Sequence, residues 1–192
     1  MQTLFIPEPD IVYDGRQLAP HWLYREFDLL SDAAVAFVGP CRVDLGEMVD
    51  IEDVKAQAPI RSPRMLHLLA EFFTGDLHLG VYRQRLLIVT AGELLEEATR
   101  RRVTRRGDDL YLDREDGTPG KLSVSIATSG PNSTLIHTGF NIETEGTPVP
   151  TVGLAELGVD VAVFAPELLR VYSAEIADIW LARCKVRSVA EG

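Results

Sequence analysis

Lys121 opens the run Lys121-Leu122-Ser123-Val124-Ser125-Ile126-Ala127-Thr128. Its period-two alternation puts Leu122, Val124 and Ile126 on one face of a strand and Ser123, Ser125 and Ala127 on the other. An ammonium at a strand start can hold a carboxylate or phosphate oxygen, and small residues beside it form a floor that a flat ligand approaches closely. The ordinary alternative is a solvated lysine. In the next run His137 and Asn141 share parity with Gly139, so all three project to one face. An imidazole there is a ligand contact or proton carrier, or else a half-buried side chain with a backbone partner. Five arginines, Arg100, Arg101, Arg102, Arg105 and Arg106, follow a helical stretch. They either complement the negative end of that helix or, at Arg105 and Arg106 ahead of Gly107, offer a planar fork of donors to a phosphate or carboxylate.

Nearer the start, His21-Trp22-Leu23-Tyr24-Arg25 gathers imidazole, indole, phenol and guanidinium. Spread over about one and a half helical turns, such a set suits a pocket wall and equally ordinary packing. Cys41 stands beside Arg42, where a cation lowers a thiol's pKa, but no histidine is fixed next to it and an inert thiol is the commoner outcome. Asp44, Glu47, Asp50, Glu52 and Asp53 form an acidic stretch that serves a partner, a metal or only a solvated loop. Walker A, HExxH, GxSxG, CxxC and GxGxxG patterns are absent, which removes the commonest nucleotide, metalloprotease, hydrolase and redox assignments.

Positioning these residues requires alternating strands and helices. The pattern predicts an opening hairpin from residues 4–6 and 11–13 around the Asp14-Gly15 turn, then a helix after Pro20 carrying Trp22, Leu23, Phe27 and Leu30. A strand is expected over 33–38, a long acidic surface loop with a short helix over 39–63, a helix over 65–73 and a strand over 77–82. A helix over 83–102 follows, then three consecutive antiparallel strands at 109–113, 121–128 and 134–143. Helices at 154–157 and 166–182 and a last strand at 184–189 complete the reading.

With 192 residues and 21.2 kDa, the chain suits a single domain spanning residues 1–192. Nineteen Lys and Arg against 29 Asp and Glu give a formal charge of −10, which opposes non-specific coating of nucleic acid. Two cysteines make neither a disulfide framework nor a zinc site, and free thiols are expected. The first ten residues lack a signal-peptide pattern and no window approaches the ~20 apolar residues of a membrane span, so no membrane partner and a cytoplasmic location are expected.

Two resemblances add to this reading. Nearly the full length resembles the uncharacterised family DUF366, best seen in Tyr13-Asp14-Gly15, His21-Trp22-Leu23-Tyr24-Arg25 and Met48-Val49-Asp50-Ile51-Glu52-Asp53, and later in Arg106-Gly107-Asp108-Asp109-Leu110-Tyr111 and Gly153-Leu154-Ala155-Glu156-Leu157-Gly158. Residues 105–142 also resemble the catalytic core of biotin and lipoate protein ligases. That resemblance implies an α+β fold, a mixed and mainly antiparallel sheet with flanking helices, akin to class II aminoacyl-tRNA synthetases. It implies that Lys121 contacts an acyl-adenylate, that Asp109 takes an acidic position with Asp108 in place of the ligases' Asn, and that Asn141 helps hold nucleotide phosphates and metal. Arg106 would join Asp108, Asp109 and Asn141 around the cofactor, and ATP with Mg²⁺ are the cofactors implied. The ligases' glycine- and arginine-rich loop has no counterpart. The expectation is therefore an enzyme-like protein that binds a small carboxylate or nucleotide-like molecule and carries out acyl or adenylyl transfer, with Lys121 central and His21, Trp22, Arg25, Cys41 and His137 around the substrate. The alternative is a non-catalytic metabolite-binding or protein-interaction module of the same fold, with the sheet available for a homodimer.

Overall fold

Alternating burial along β2 (Ala33–Val43) sets up the two sides of the molecule. Ala34, Ala36 and Val38 face one apolar cluster, while Ala33, Val35 and Phe37 face another. The computed structural model describes residues 1–57, 60–147 and 149–189. Around β2 a five-stranded sheet assembles from β1 (Gln2–Ile6), β3 (Ile60–Phe72), β7 (Ser123–Ser129) and β8 (Thr134–Glu143), in the order β1-β2-β3-β8-β7. Only the β1–β2 pairing is parallel. A second sheet of β4 (Thr104–Arg106), β5 (Asp109–Asp113) and β6 (Pro119–Lys121) leans on β7, where the Ser123 hydroxyl accepts from the Leu110 N–H at 2.9 Å. The architecture is the expected mixed, mainly antiparallel α+β arrangement.

Two long helices bury one face of the large sheet. In α3 (Leu77–Thr99), Leu87, Ile88, Ala91 and Leu95 pack inward, and the Asp76 side chain caps the start by accepting from the Leu79 N–H. In α4 (Val161–Ala182), Phe164, Ala165, Leu168, Leu169 and Tyr172 do the same behind an Asp160 cap. The other face carries the short α1 (Trp22–Phe27), α2 (Ile51–Ala56) and a segment from Ile11 to Tyr13 that runs along the end of β2. Among the described residues, no helix is long and apolar enough to cross a membrane.

Several elements differ from the sequence expectations. Of residues 65–73, expected as helix, 65–72 belong to β3, which is buried on both faces there and so shows no alternation for a strand period to reveal. Residues 77–82, expected as strand, form the first turns of α3, where Leu77 and Leu79 are exposed and Gly80 is buried. The opening hairpin does not form: β1 pairs with β2, and Tyr13 bridges in parallel to Cys41. The acidic loop expected over 39–63 is largely ordered structure, comprising the end of β2, a short 3-10 turn at Leu45–Glu47, α2 and the start of β3; its residues 58 and 59 lie outside the described set. The three consecutive strands divide between the two sheets, β5 with β6 and β7 with β8. Residues 154–157 make a turn, residues 184–189 make no strand, and α4 begins before Pro166, not at it.

Candidate functional site

The β7–β8 end of the large sheet and the β5–β6 edge of the small one meet at an open cavity of about 400 Å³. Strand alternation supplies its floor, with Val124 and Ile126 from β7 and His137 and Asn141 from β8. The hairpin between β4 and β5 supplies Asp108 and Asp109. Its turn depends on Gly107, whose φ of +66° lies in the left-handed region that other residues rarely adopt. Segment 47–53, with α2, closes the opposite side, and Tyr13 reaches in from the β2 flank.

Lys121 ends β6 and its Nζ lies 2.8 Å from Asp109 Oδ2, both side chains about three-quarters buried. Burial raises the Asp109 pKa from its ordinary value, with the hydrogen bond and charge of Lys121 opposing the rise. The Lys121 backbone is fixed on both sides, its N–H donating to Pro150 O at 2.9 Å and its carbonyl accepting from Val152 N–H and from Asn141 Nδ2. Asp108 is held just as firmly: Gln84 Nε2 donates to Oδ2 at 2.9 Å and Arg85 stands 3.3 Å from Oδ1. The second amide bond of Gln84 goes to Ser125 Oγ, which also bonds Thr138, so one buried glutamine of α3 ties the hairpin to the floor.

Behind the floor lies an aromatic stack. The Tyr13 ring covers His137 at 3.8 Å between centroids and 11° between planes, and His137 Nε2 is 3.0 Å from Nδ1 of His67 on β3. His67 Nε2 is 3.2 Å from the Gly39 carbonyl, which can only accept. The His67 proton therefore sits on Nε2, and His137 donates from its own Nε2 to His67 Nδ1. Burial depresses both imidazoles, His67 to about 4 and His137 well below its ordinary value, so both are neutral. Burial likewise pushes the Tyr13 phenol far up, keeping it protonated.

Of the residues singled out from the sequence, Lys121, Asp108, Asp109, His137 and Asn141 come together at this cavity. Glu47, Asp50, Glu52 and Asp53 of the acidic stretch also line it, whereas Arg106, His21, Trp22, Arg25 and Cys41 do not. Arg106 extends along the exposed β4 with its guanidinium 4.9 Å from the Tyr111 ring centroid. His21 begins α1 in a left-handed conformation, and its N–H donates to both oxygens of the buried Glu71. Trp22 packs on Phe27 and Phe37, and Arg25 turns back to the Pro20 carbonyl. Cys41 lies in the apolar cluster beneath Tyr13, where burial pushes its thiol up to about 12, the reverse of what a nucleophile needs. A thiol-selective reagent on the native protein should accordingly modify the exposed Cys184 and spare Cys41, which peptide mass mapping will read; rapid labelling of Cys41 would mean the strand edge over it opens readily.

Tyr13, His67, Gln84 and Arg85 were not anticipated as site residues. His67 was hidden by the helical reading of β3, and Gln84 and Arg85 by lying on a helix distant in sequence from the hairpin they hold. Among the described residues no three His, Cys, Asp or Glu side chains converge to hold a metal ion, so the residues present build no protein cage for Mg²⁺.

The model of the family described as domain of unknown function DUF366 matches residues 1–187. The chain belongs to this family. The uncharacterised protein MJ0805 of Methanocaldococcus jannaschii is 33% identical over 186 residues, covering 93% of this chain and 81% of its own. A protein of unknown function from Pyrococcus horikoshi superposes with a TM-score of 0.91 at 40% identity, covering 98% of this chain and 99% of that one. The DUF366 fold is also similar to that of a biotin protein ligase from Aquifex aeolicus in complex with biotin and ATP, with a TM-score of 0.56 at 16% identity over 90% of this chain and 69% of that one. A bipartite lipoate protein ligase from Thermoplasma acidophilum gives 0.54 at 12% identity, over 92% and 83%. At these identities the likeness is one of fold, in agreement with the ligase resemblance of residues 105–142.

Proposed function

We propose that this DUF366 protein binds a small carboxylate-bearing or nucleotide-like metabolite in the cavity, with Lys121 holding its oxyanion. The observation that carries this reading is the Lys121–Asp109 pair at the cavity wall, 2.8 Å apart and partly withdrawn from water. An ammonium there is oriented by one carboxylate and has two further N–H donors for a ligand oxygen. Asn141 reinforces the position by bonding the Lys121 carbonyl at 3.2 Å. If the site is catalytic, activation of the bound carboxylate by adenylyl transfer fits better than transfer onto a protein thiol, because no cysteine lines the cavity. A second reading, a non-catalytic metabolite-binding module, is favoured by the acidic wall of Glu47, Asp50, Glu52 and Asp53, which repels a polyphosphate.

Lys121→Ala tests the proposal. With its fold checked by circular dichroism, the variant should lose any melting-temperature increase that octanoate, lipoate, biotin, AMP or ATP with Mg²⁺ gives the wild type. A ligand-induced shift that survives intact in Lys121→Ala would place the ligand elsewhere.

A further inference from the structure

The cavity is poor in positive charge and rich in acceptors without donors. Six carboxylates line it against two cationic side chains, Arg61 and Lys121. Lys121 is matched by Asp109, Arg61 by Asp44 at 3.5 Å outside the cavity, and Asp108 by Arg85. Glu47, Asp50, Glu52 and Asp53 remain, and none has an ion-pair partner among the described residues. Asp50 caps α2, accepting from the Glu52 and Asp53 N–H groups. Asp53 is half-buried; burial first, then the charge of Asp50, raises its pKa, with Lys121 opposing.

The floor also offers acceptors. Asn141, only 5% exposed, gives its Nδ2 to the Lys121 carbonyl, and its Oδ1 receives nothing from any described residue. His137, 4% exposed, donates from Nε2 to His67, which leaves its Nδ1 lone pair as an acceptor with no donor among the described residues. Both residues line the open cavity, where a bound molecule carrying N–H or O–H groups can take the place of water on these acceptors. A polyphosphate brings more acceptors and more negative charge, and an alkyl tail would strip water from the Asp53 wall with no compensation.

Building on the assignment of Lys121 as the oxyanion contact, we propose that the ligand also carries a cationic amine or guanidine, whose charge answers Asp53 and its neighbours and whose N–H groups satisfy Asn141 and His137. The preferred ligand class is a small amine- or guanidine-bearing acid, its carboxylate at Lys121 and its cation at the acidic wall.

Titration calorimetry on the whole protein separates the two ends. The probes are guanidinobutanoate, which has both charges, butylguanidine, which has only the cation, butanoate, which has only the acid, and ATP with Mg²⁺. Guanidinobutanoate and butylguanidine should bind, butanoate should not, and Asp53→Asn should weaken both guanidines about tenfold or more. Glu52→Gln, on the exposed side of the same helix, should weaken them less, while Lys121→Ala should weaken guanidinobutanoate alone. Unchanged guanidine binding in a folded Asp53→Asn variant overturns the cation assignment, as does the absence of binding by either guanidine. Binding of butanoate or ATP that is lost in Lys121→Ala but indifferent to Asp53→Asn also overturns it, while leaving the Lys121 assignment standing. Guanidine binding lost in Asp53→Asn, with guanidinobutanoate indifferent to Lys121→Ala, upholds the cationic end and defeats the Lys121 reading.

Discussion

Acidification from pH 7 to about 4 should destabilise the protein by on the order of 3 kcal/mol through His67 alone. The native imidazole is buried between Phe37, Tyr13 and His137 and does not protonate until about pH 4, whereas in the unfolded chain it protonates at its ordinary value of 6.5. Below 6.5 the unfolded state therefore binds the extra proton, so stability is full above that pH and falls as the pH drops toward 4. His137 is depressed too, by burial and by the charge that His67 would carry, so it steepens the loss in the same direction. Carboxylates contribute to any acid transition, and the variant His67→Phe isolates the histidine share. It loses the bond to Gly39 O and starts less stable at pH 7, but its stability should decline less between pH 6.5 and 4.5. Equal slopes for the two proteins in urea titrations would show that the pair is not what acid attacks.

Gly39→Ala is the other large effect expected. A Cβ on residue 39 would stand 2.0 Å from the Ile11 carbonyl oxygen and 2.6 Å from its carbon, both backbone atoms that cannot swing away. The Ile11–Tyr13 segment is bound to β2 by Ile11 N–H to Val38 O, Tyr13 N–H to Pro40 O and Arg42 N–H to Tyr13 O, at 2.8, 2.9 and 2.8 Å. Relieving the clash breaks that ladder and lifts Tyr13 off His137, so the change should cost about 3 kcal/mol or more. For a chain of this size that lowers the melting temperature by roughly 6–12 °C, and ligand binding should weaken with it. A melting temperature within about 2 °C of wild type would mean the segment does not press on β2 so closely.

The sequence was most legible where one period dominated. Thr134–Glu143 and Asp109–Asp113 were placed to the residue, and the parity of His137 and Asn141 put both on the cavity face. It was least legible at β3, a central strand with apolar neighbours above and below, where Met65 to Phe73 satisfies a helical stripe as well as a strand. Losing β3 hid His67 and with it the tautomer chain that leaves His137 an acceptor. The cluster of His21, Trp22 and Arg25 misled for a different reason: aromatic and charged types on α1 serve packing and capping, and Glu71, the buried carboxylate that receives the His21 N–H, lies 50 residues away. Which residues share a cavity depends on such distant pairings, and local spacing is silent about them.

The strand order also has a bearing on synthesis. β3 pairs early with β2, but its other edge is covered only by β8, and the His67–His137 contact across that seam spans 70 residues. At about 5–20 residues per second, a nascent chain would wait several seconds with the β2–β3 ribbon emerged and the Met65–Phe72 edge open. That edge is apolar, Glu71 being its one acidic residue. The ribosome-bound chain is thus most vulnerable to edge-to-edge association in that interval, and the amphipathic α3, which emerges within it, is the element placed to shield the ribbon until β8 arrives.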